Sequence, residues 1–344
     1  MTGTDTILDK QHHDVLERAV RNVLATRLTL ETCAQIVDGL PLASVAFDQY
    51  NYRVTRLNPS HPVSEHTSLC QGAEEAARQF LSGFAINMLE FDDKLLRFFQ
   101  SAAPGHRSFY CRLIELVAVA VHKLAVLLFK QGHRIHDKLP WKKAFTIDRV
   151  TSWQSKEDRK RGFAPPGPTL FAHFSYNASD QYPDGVADVV GYWAENRILG
   201  GVIVFDRHEA WDDERSPEPN AWLHSDRDGV TIRLCQLLDE QQRDLVDFLL
   251  SESPAAACPC PLLPSDKNLT RLDPDDATED DVYRDIWERK PPNIRPGRGN
   301  GVGGCVPSSL DYPEEESEEE SYIDRRRPEQ PSLLEYLYGG RSIN

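Results

Sequence analysis

Val186–Arg207 reads VADVVGYWAENRILGGVIVFDR, and the assignment of this stretch decides the fold. Two apolar runs rich in β-branched residues flank Glu195-Asn196-Arg197, with Gly200-Gly201 inside the second. Short apolar runs of β-branched and aromatic residues favour strands. The expectation is a strand pair, 186–194 and 198–205, at the centre of the chain. The glycine pair then marks a bulge or the close approach of a helix. Trp193, Glu195, Asp206 and Arg207 lie on or beside this pair, where most strands carry plain hydrophobes.

Working outward, Tyr182-Pro183-Asp184-Gly185 is a turn, because proline presets φ and Asp-Gly tolerates the tight positions. Leu170–Tyr176, Trp222–His224 and Val230–Leu237 are further strand candidates, and 145–150 is another. Asp239 with Gln242 opens a helix over 239–250. On the N-terminal side, apolar residues recur at helical spacing through 6–27, with a second helix over 31–38 capped by Thr29. Leu42–Phe47 and Tyr50–Leu57 suggest short strands. A helical stretch covers 73–103 with a break near Asp92, and Ser155–Arg161 is a charged turn. His106–Gln131 is apolar nearly all round, which predicts a helix in the middle of the helical layer. It carries Arg112, Glu115, His122 and Lys123, too many charges for a membrane span.

The fold class expected is α+β: a helical N-terminal layer packed on a mostly antiparallel β-sheet. The domain runs over 6–252, helix-rich to 139 and sheet-rich from 140. Residues 253–344 read as a disordered acidic tail, since prolines, a glycine stretch and Glu314–Glu320 bury too little apolar area to offset ordering entropy.

The net charge is −15. The segment 251–344 carries 20 acidic and 11 basic residues, a net of −9, which leaves −6 for the remainder. A nucleic-acid binder needs a basic surface to displace counterions, so no nucleic-acid partner and no membrane partner is expected. The seven cysteines are scattered and odd in number, and the polar start shows no secretory signal. Free thiols in a reducing, cytoplasmic compartment follow, with Arg325–Arg327 as a weak nuclear-import alternative.

Chemical motifs are sparse. Gly299-x-Gly301-x-x-Gly304 lacks the strand–turn–helix context of a dinucleotide site, and no GxxxxGK[ST], HExxH or GxSxG occurs, so no cofactor is expected. His133-x-x-His136-Asp137 reads as a helix end or surface. Cys258-Pro259-Cys260 lacks a second ligand pair. No metal centre is expected. Glu195, Asp206 and His224 form the one candidate acid/base set, provided burial shifts their pKa values apart. Trp193 and Arg207 are candidate binding residues beside them. In the tail, Ser317 before Glu318-Glu319-Glu320 is a candidate phosphorylation site. Leu333, Leu334 and Leu337 form an amphipathic island suited to a partner's groove.

His173-Phe174-x-Tyr176, Gly191-Tyr192-Trp193-Ala194-Glu195, Gly200-Gly201-Val202, Phe205-Asp206-Arg207 and Trp222-Leu223-His224 together resemble a group of uncharacterised proteins of filamentous ascomycete fungi. The resemblance covers roughly 170–250. It implies an intracellular fungal protein and transfers no catalytic residue. The leading expectation is a non-catalytic interaction or scaffold module that recruits an unknown protein partner through its tail. A small-molecule enzyme using Glu195, Asp206 and His224 is the alternative, and a nuclear regulator the second.

Overall fold

The computed structural model describes residues 7–285, apart from 50–56, 139–145, 163, 164, 166, 208–219, 227–229, 253–256, 275, 278 and 279. The α+β class holds, with helices dominating the first part and one antiparallel sheet following. The helices are α1 (Lys10–Leu24), α2 (Arg27–Asp38), α3 (Ala43–Gln49), α4 (Ala73–Gly83), α5 (Asp93–Ser101), α6 (Arg107–Lys130), α7 (Ile147–Thr151), α8 (Lys156–Arg161), α9 (Val186–Leu199) and α10 (Asp239–Leu250). The strands are β1 (Val202–Asp206), β2 (Ala221–His224), β3 (Leu234–Gln236), β4 (Arg271–Leu272) and β5 (Val282–Tyr283). Their order across the sheet is β4-β3-β2-β1-β5, every neighbour antiparallel.

The principal correction is α9. The run 186–194 is helix rather than strand, and 198–199 close that helix, so β1 begins only at Val202. Nearly every residue of α9 is buried, polar ones included. A helix enclosed on all sides has no polar face, so the 3.6-residue period that would announce it disappears. Gly200 ends it in the left-handed conformation at φ 105°, a routine helix stop. A Cβ there would lie 1.8 Å from the Leu262 carbonyl oxygen. Leu262 comes this close because its N–H donates to the Leu199 carbonyl at 2.7 Å. The neighbour that crowds Gly200 is therefore the non-helical Leu262 backbone rather than the helix expected, and it meets the C-terminus of α9.

Other local differences have similar causes. Residues 43–49 and 147–151 are helical rather than extended, and Leu170–Tyr176 joins no strand. Tyr50–56 lie outside the described residues. Ser155–Arg161 forms a short helix because Ser155 and Asp158 make a reciprocal capping box. Thr26, not Thr29, caps α2, and Gln241, not Gln242, accepts from the N–H that precedes α10. The break near Asp92 is present, with Asp92 capping α5 through the N–H groups of Lys94 and Leu95.

Alternate residues of β1 feed two cores, as the two-residue strand period requires. Ile203 and Phe205 pack with Leu113, Leu116 and Leu245 from α6 and α10. Val202 and Val204 pack with Tyr176, Tyr182, Tyr192 and Trp222. The sheet also moves the edge of the folded domain. Both edge strands, β4 and β5, come after residue 253, so the chain to Asp285 belongs to the domain rather than to the acidic tail. The rest of the expected tail, with Ser317, Leu333, Leu334 and Leu337, lies outside the described residues. No helix among the described residues is long and apolar enough to cross a membrane.

Candidate functional site

α9 carries Asp188 and Glu195 two helical turns apart, hence on one face, with Gly191 between them. The His122 ring from α6 fits against that face. A Cβ on Gly191 would lie 2.6–2.8 Å from three atoms of the imidazole, so only glycine leaves room for it. Nδ1 of His122 lies 2.8 Å from Glu195 Oε1, and Nε2 lies 3.0 Å from Asp188 Oδ1. Two carboxylates facing both ring nitrogens require both nitrogens to donate, so His122 is held as the imidazolium. Burial opposes that charge, but the hydrogen bonds to Asp188 and Glu195 outweigh it and raise the His122 pKa. Burial likewise opposes the Asp188 anion, yet His122 holds its carboxyl below the usual value.

Glu195 is fully committed. Its second oxygen accepts from Arg284 Nη1 at 2.7 Å, and both side chains are almost completely buried. Arg284 follows β5, and its guanidinium also lies 5.4 Å from the centre of the Tyr192 ring. A second buried cluster adjoins it. Glu115 accepts from Arg112 at 2.7 Å and from Arg207, and Arg207 also donates to the carbonyls of Tyr283 and Arg284. Asp188, Glu195, His122 and Arg284 sum to zero charge, as a buried ion cluster requires.

Asp206 works elsewhere. Its Oδ1 accepts from the Trp222 indole N–H at 2.8 Å and its Oδ2 from the Asn220 N–H at 3.0 Å. These bonds lock the β1–β2 register, in which Val204 faces Trp222. His224, on β2, lies between the Tyr176 hydroxyl at 3.2 Å and the Ser175 hydroxyl at 3.3 Å. Burial pushes its pKa down to about 3, so it stays neutral. Among the described residues Glu195, Asp206 and His224 share no hydrogen-bond partner. Each member of the expected acid/base set thus has hydrogen-bond partners of its own. Trp193 is a core side chain against Phe171, with ring centres 4.6 Å apart. Arg207 binds the Glu115 carboxylate rather than an exposed ligand surface. A groove of about 820 Å³ lies apart from all five, between α1, α2 and α4, floored by Leu24, Leu30, Leu81 and Phe84.

A different constellation was not legible beforehand. Asp38 ends α2, His66 follows a 3₁₀ turn at Pro62–Glu65, Cys70 precedes α4, and His136 sits in a 3₁₀ turn at Ile135–Lys138. All four are buried, and one ligand atom from each lies within 4.8 Å of the others. His66 Nε2 is 3.0 Å from Asp38 Oδ2, and Cys70 Sγ is 3.5 Å from His136 Nδ1. The Cys70 N–H also donates to Asp38 Oδ2 at 2.9 Å. Asp38 Oδ1 is buried with no hydrogen-bond partner. The expectation for His136 as a helix-end or surface residue is overturned, since it is fully buried, whereas His133 turns out to Gln131 and Asp137 accepts from the Ile147 N–H. The spacing His66-x-x-x-Cys70 was the one local signal. Of the remaining thiols, burial pushes Cys33 and Cys235 up to about 12, while a hydrogen bond with Cys260 lowers Cys258 to about 7.

Comparison with protein-family models, with curated proteins and with solved structures finds no match for this chain.

Proposed function

We propose that this chain is a non-catalytic interaction module: an α+β domain that presents its acidic C-terminal segment to a protein partner. The observation that carries it is the commitment of Glu195, Asp206 and His224 to separate contacts, with no hydrogen-bond partner in common among the described residues. General acid–base chemistry needs its groups within hydrogen-bond reach of one substrate. The acidic run Glu314–Glu320 supports the same reading, since it holds six of the eleven acidic residues beyond Asp285. Leu333, Leu334 and Leu337 are the proposed docking side chains, with Ser317 as a phosphorylation site that adds negative charge beside them. The resemblance to ascomycete proteins supports an intracellular setting, with the cytoplasm preferred over the nucleus.

The test compares the full chain with a chain ending after residue 290 in affinity capture from cell extract. The cut must follow Arg284, because an earlier one removes β4, β5 and the partner of Glu195. Specific partners should be captured by the full chain and lost both from the shorter chain and from a Leu333→Asp/Leu334→Asp/Leu337→Asp variant. Equal capture by the shorter chain refutes recruitment through this segment.

A further inference from the structure

We propose that Asp38, His66, Cys70 and His136 bind one Zn²⁺ ion as a closed, four-coordinate structural centre that ties α2, the loop before α4 and the 135–138 turn together. The inference is independent of the interaction reading above.

Proton positions supply the first argument. His66 Nδ1 lies 2.8 Å from the Pro41 carbonyl oxygen, an acceptor only, so Nδ1 carries the hydrogen. Nε2 then presents a lone pair to the Asp38 carboxylate 3.0 Å away unless something positive lies between or upon them. A second proton on His66 answers that contact alone. It leaves Asp38 Oδ1 buried and unpartnered, at a cost of about 1–3 kcal/mol for such a group. One divalent cation satisfies the imidazole lone pair, the carboxylate and the thiolate together. An imidazole whose far nitrogen donates to a backbone carbonyl is also the usual outer-shell arrangement for a zinc-binding histidine.

Geometry and charge agree with this. Zinc bonds of about 2.0–2.3 Å in a tetrahedron place ligand atoms about 3.3–3.8 Å apart. The Cys70–His136 separation of 3.5 Å is already there, Asp38–His66 is slightly closer at 3.0 Å, and the widest spacing of up to 4.8 Å must contract by about 1 Å. One carboxylate, one thiolate and two neutral imidazoles balance a 2+ ion, which suits four side chains that are each at most 7% exposed. A nitrogen–sulfur–oxygen donor set selects a borderline metal over Mg²⁺ or Ca²⁺. Four protein ligands with no opening to solvent fit a structural rather than a catalytic centre.

The full chain, produced in zinc-supplemented medium and purified without chelator, should carry one zinc per molecule by elemental analysis. Co²⁺ exchange should give tetrahedral visible bands and a thiolate charge-transfer band. Cys70→Ser should abolish that band, and His136→Asn should reduce zinc from stoichiometric to trace. A Cys258→Ser/Cys260→Ser variant should keep both zinc and band. Loss of zinc only in the Cys258/Cys260 variant overturns the proposal, as does a full chain without stoichiometric metal. If Cys70→Ser and His136→Asn fail to fold, X-ray absorption of the zinc-loaded full chain decides. One sulfur with three nitrogen or oxygen neighbours supports the site, and any other sulfur count refutes it.

Discussion

Removing both members of the Glu195–Arg284 pair should damage the fold by clearly less than the sum of removing each alone. Glu195→Gln preserves shape but leaves His122 and Arg284 with one buried carboxylate, Asp188, and the partly exposed Asp285 3.3 Å from Arg284 Nε, an excess of positive charge in the core. Arg284→Met fills similar volume and leaves the opposite excess, two carboxylates against one imidazolium. Breaking a buried pair by removing one partner costs about 3–5 kcal/mol, and both side chains here are at most 2% exposed. The double variant restores neutrality, with His122 still facing Asp188 at 3.0 Å. Its loss should therefore fall short of the sum of the single losses by about 2–3 kcal/mol, the upper range for directly coupled residues. Urea unfolding at pH 7 measures this. With a slope of about 2–3 kcal/mol/M, each single variant should lower the midpoint by about 1–2 M. The double variant should lie well above the position that additivity predicts. Additive losses, or single variants costing less than about 1 kcal/mol, would show that Glu195 and Arg284 do not form one neutral buried unit.

Three further outcomes follow from the same contacts. Gly191→Ala drives a methyl against the His122 ring, at 2.6–2.8 Å from its atoms, so unfolding midpoints should report a loss of about 1–3 kcal/mol; a change below about 0.5 kcal/mol means the ring can move aside. For pH, burial depresses His224 to about 3 in the folded state and holds His173 well below its ordinary value. Their stability contribution is present above the unfolded value of about 6.5 and is lost as pH falls toward the folded values, at about 1.4 kcal/mol per pH unit per histidine. His122 is shifted upward, so its contribution is complete below about 6.5 and does not offset that loss. Unfolding free energy should thus drop between pH 6.5 and 5, and a flat profile there contradicts the burial of these two rings. Asn22 donates to the carbonyls of Phe248, Leu249 and Ser251 at the end of α10. Asn22→Ala should cost about 1–3 kcal/mol by thermal or urea unfolding, as buried carbonyls lose their donor; an unperturbed midpoint would show that water replaces the amide.

Much of the architecture is legible in the chain itself. The amphipathic stripe of α1, the apolar length of α6, the Asp92 break, and the β2 and α10 segments follow from spacing and turn chemistry that any window of residues carries. The failures share one cause. Residues 186–199 are enclosed on every side, so burial erased the polar face that would have distinguished a helix from a strand, and three valines tipped the balance the wrong way. The domain edge was missed because β4 and β5 are two residues each, too short to show alternation.

The candidate site divides along the same line. The sequence by itself determined that Glu195, Asp206 and His224 stand out as polar residues in apolar segments, and all three are indeed constrained. Only the tertiary structure decided what constrains them: Glu195 meets His122 and Arg284, which are 73 and 89 residues away. Likewise Asp38, His66, Cys70 and His136 converge from three separate segments, and a motif search along the chain sees only His66 and Cys70 together. Periodicity and caps act over one or two turns, so local sequence encodes them. The partner of a buried charge is set by which distant segments pack against it, and that is a property of the assembled core.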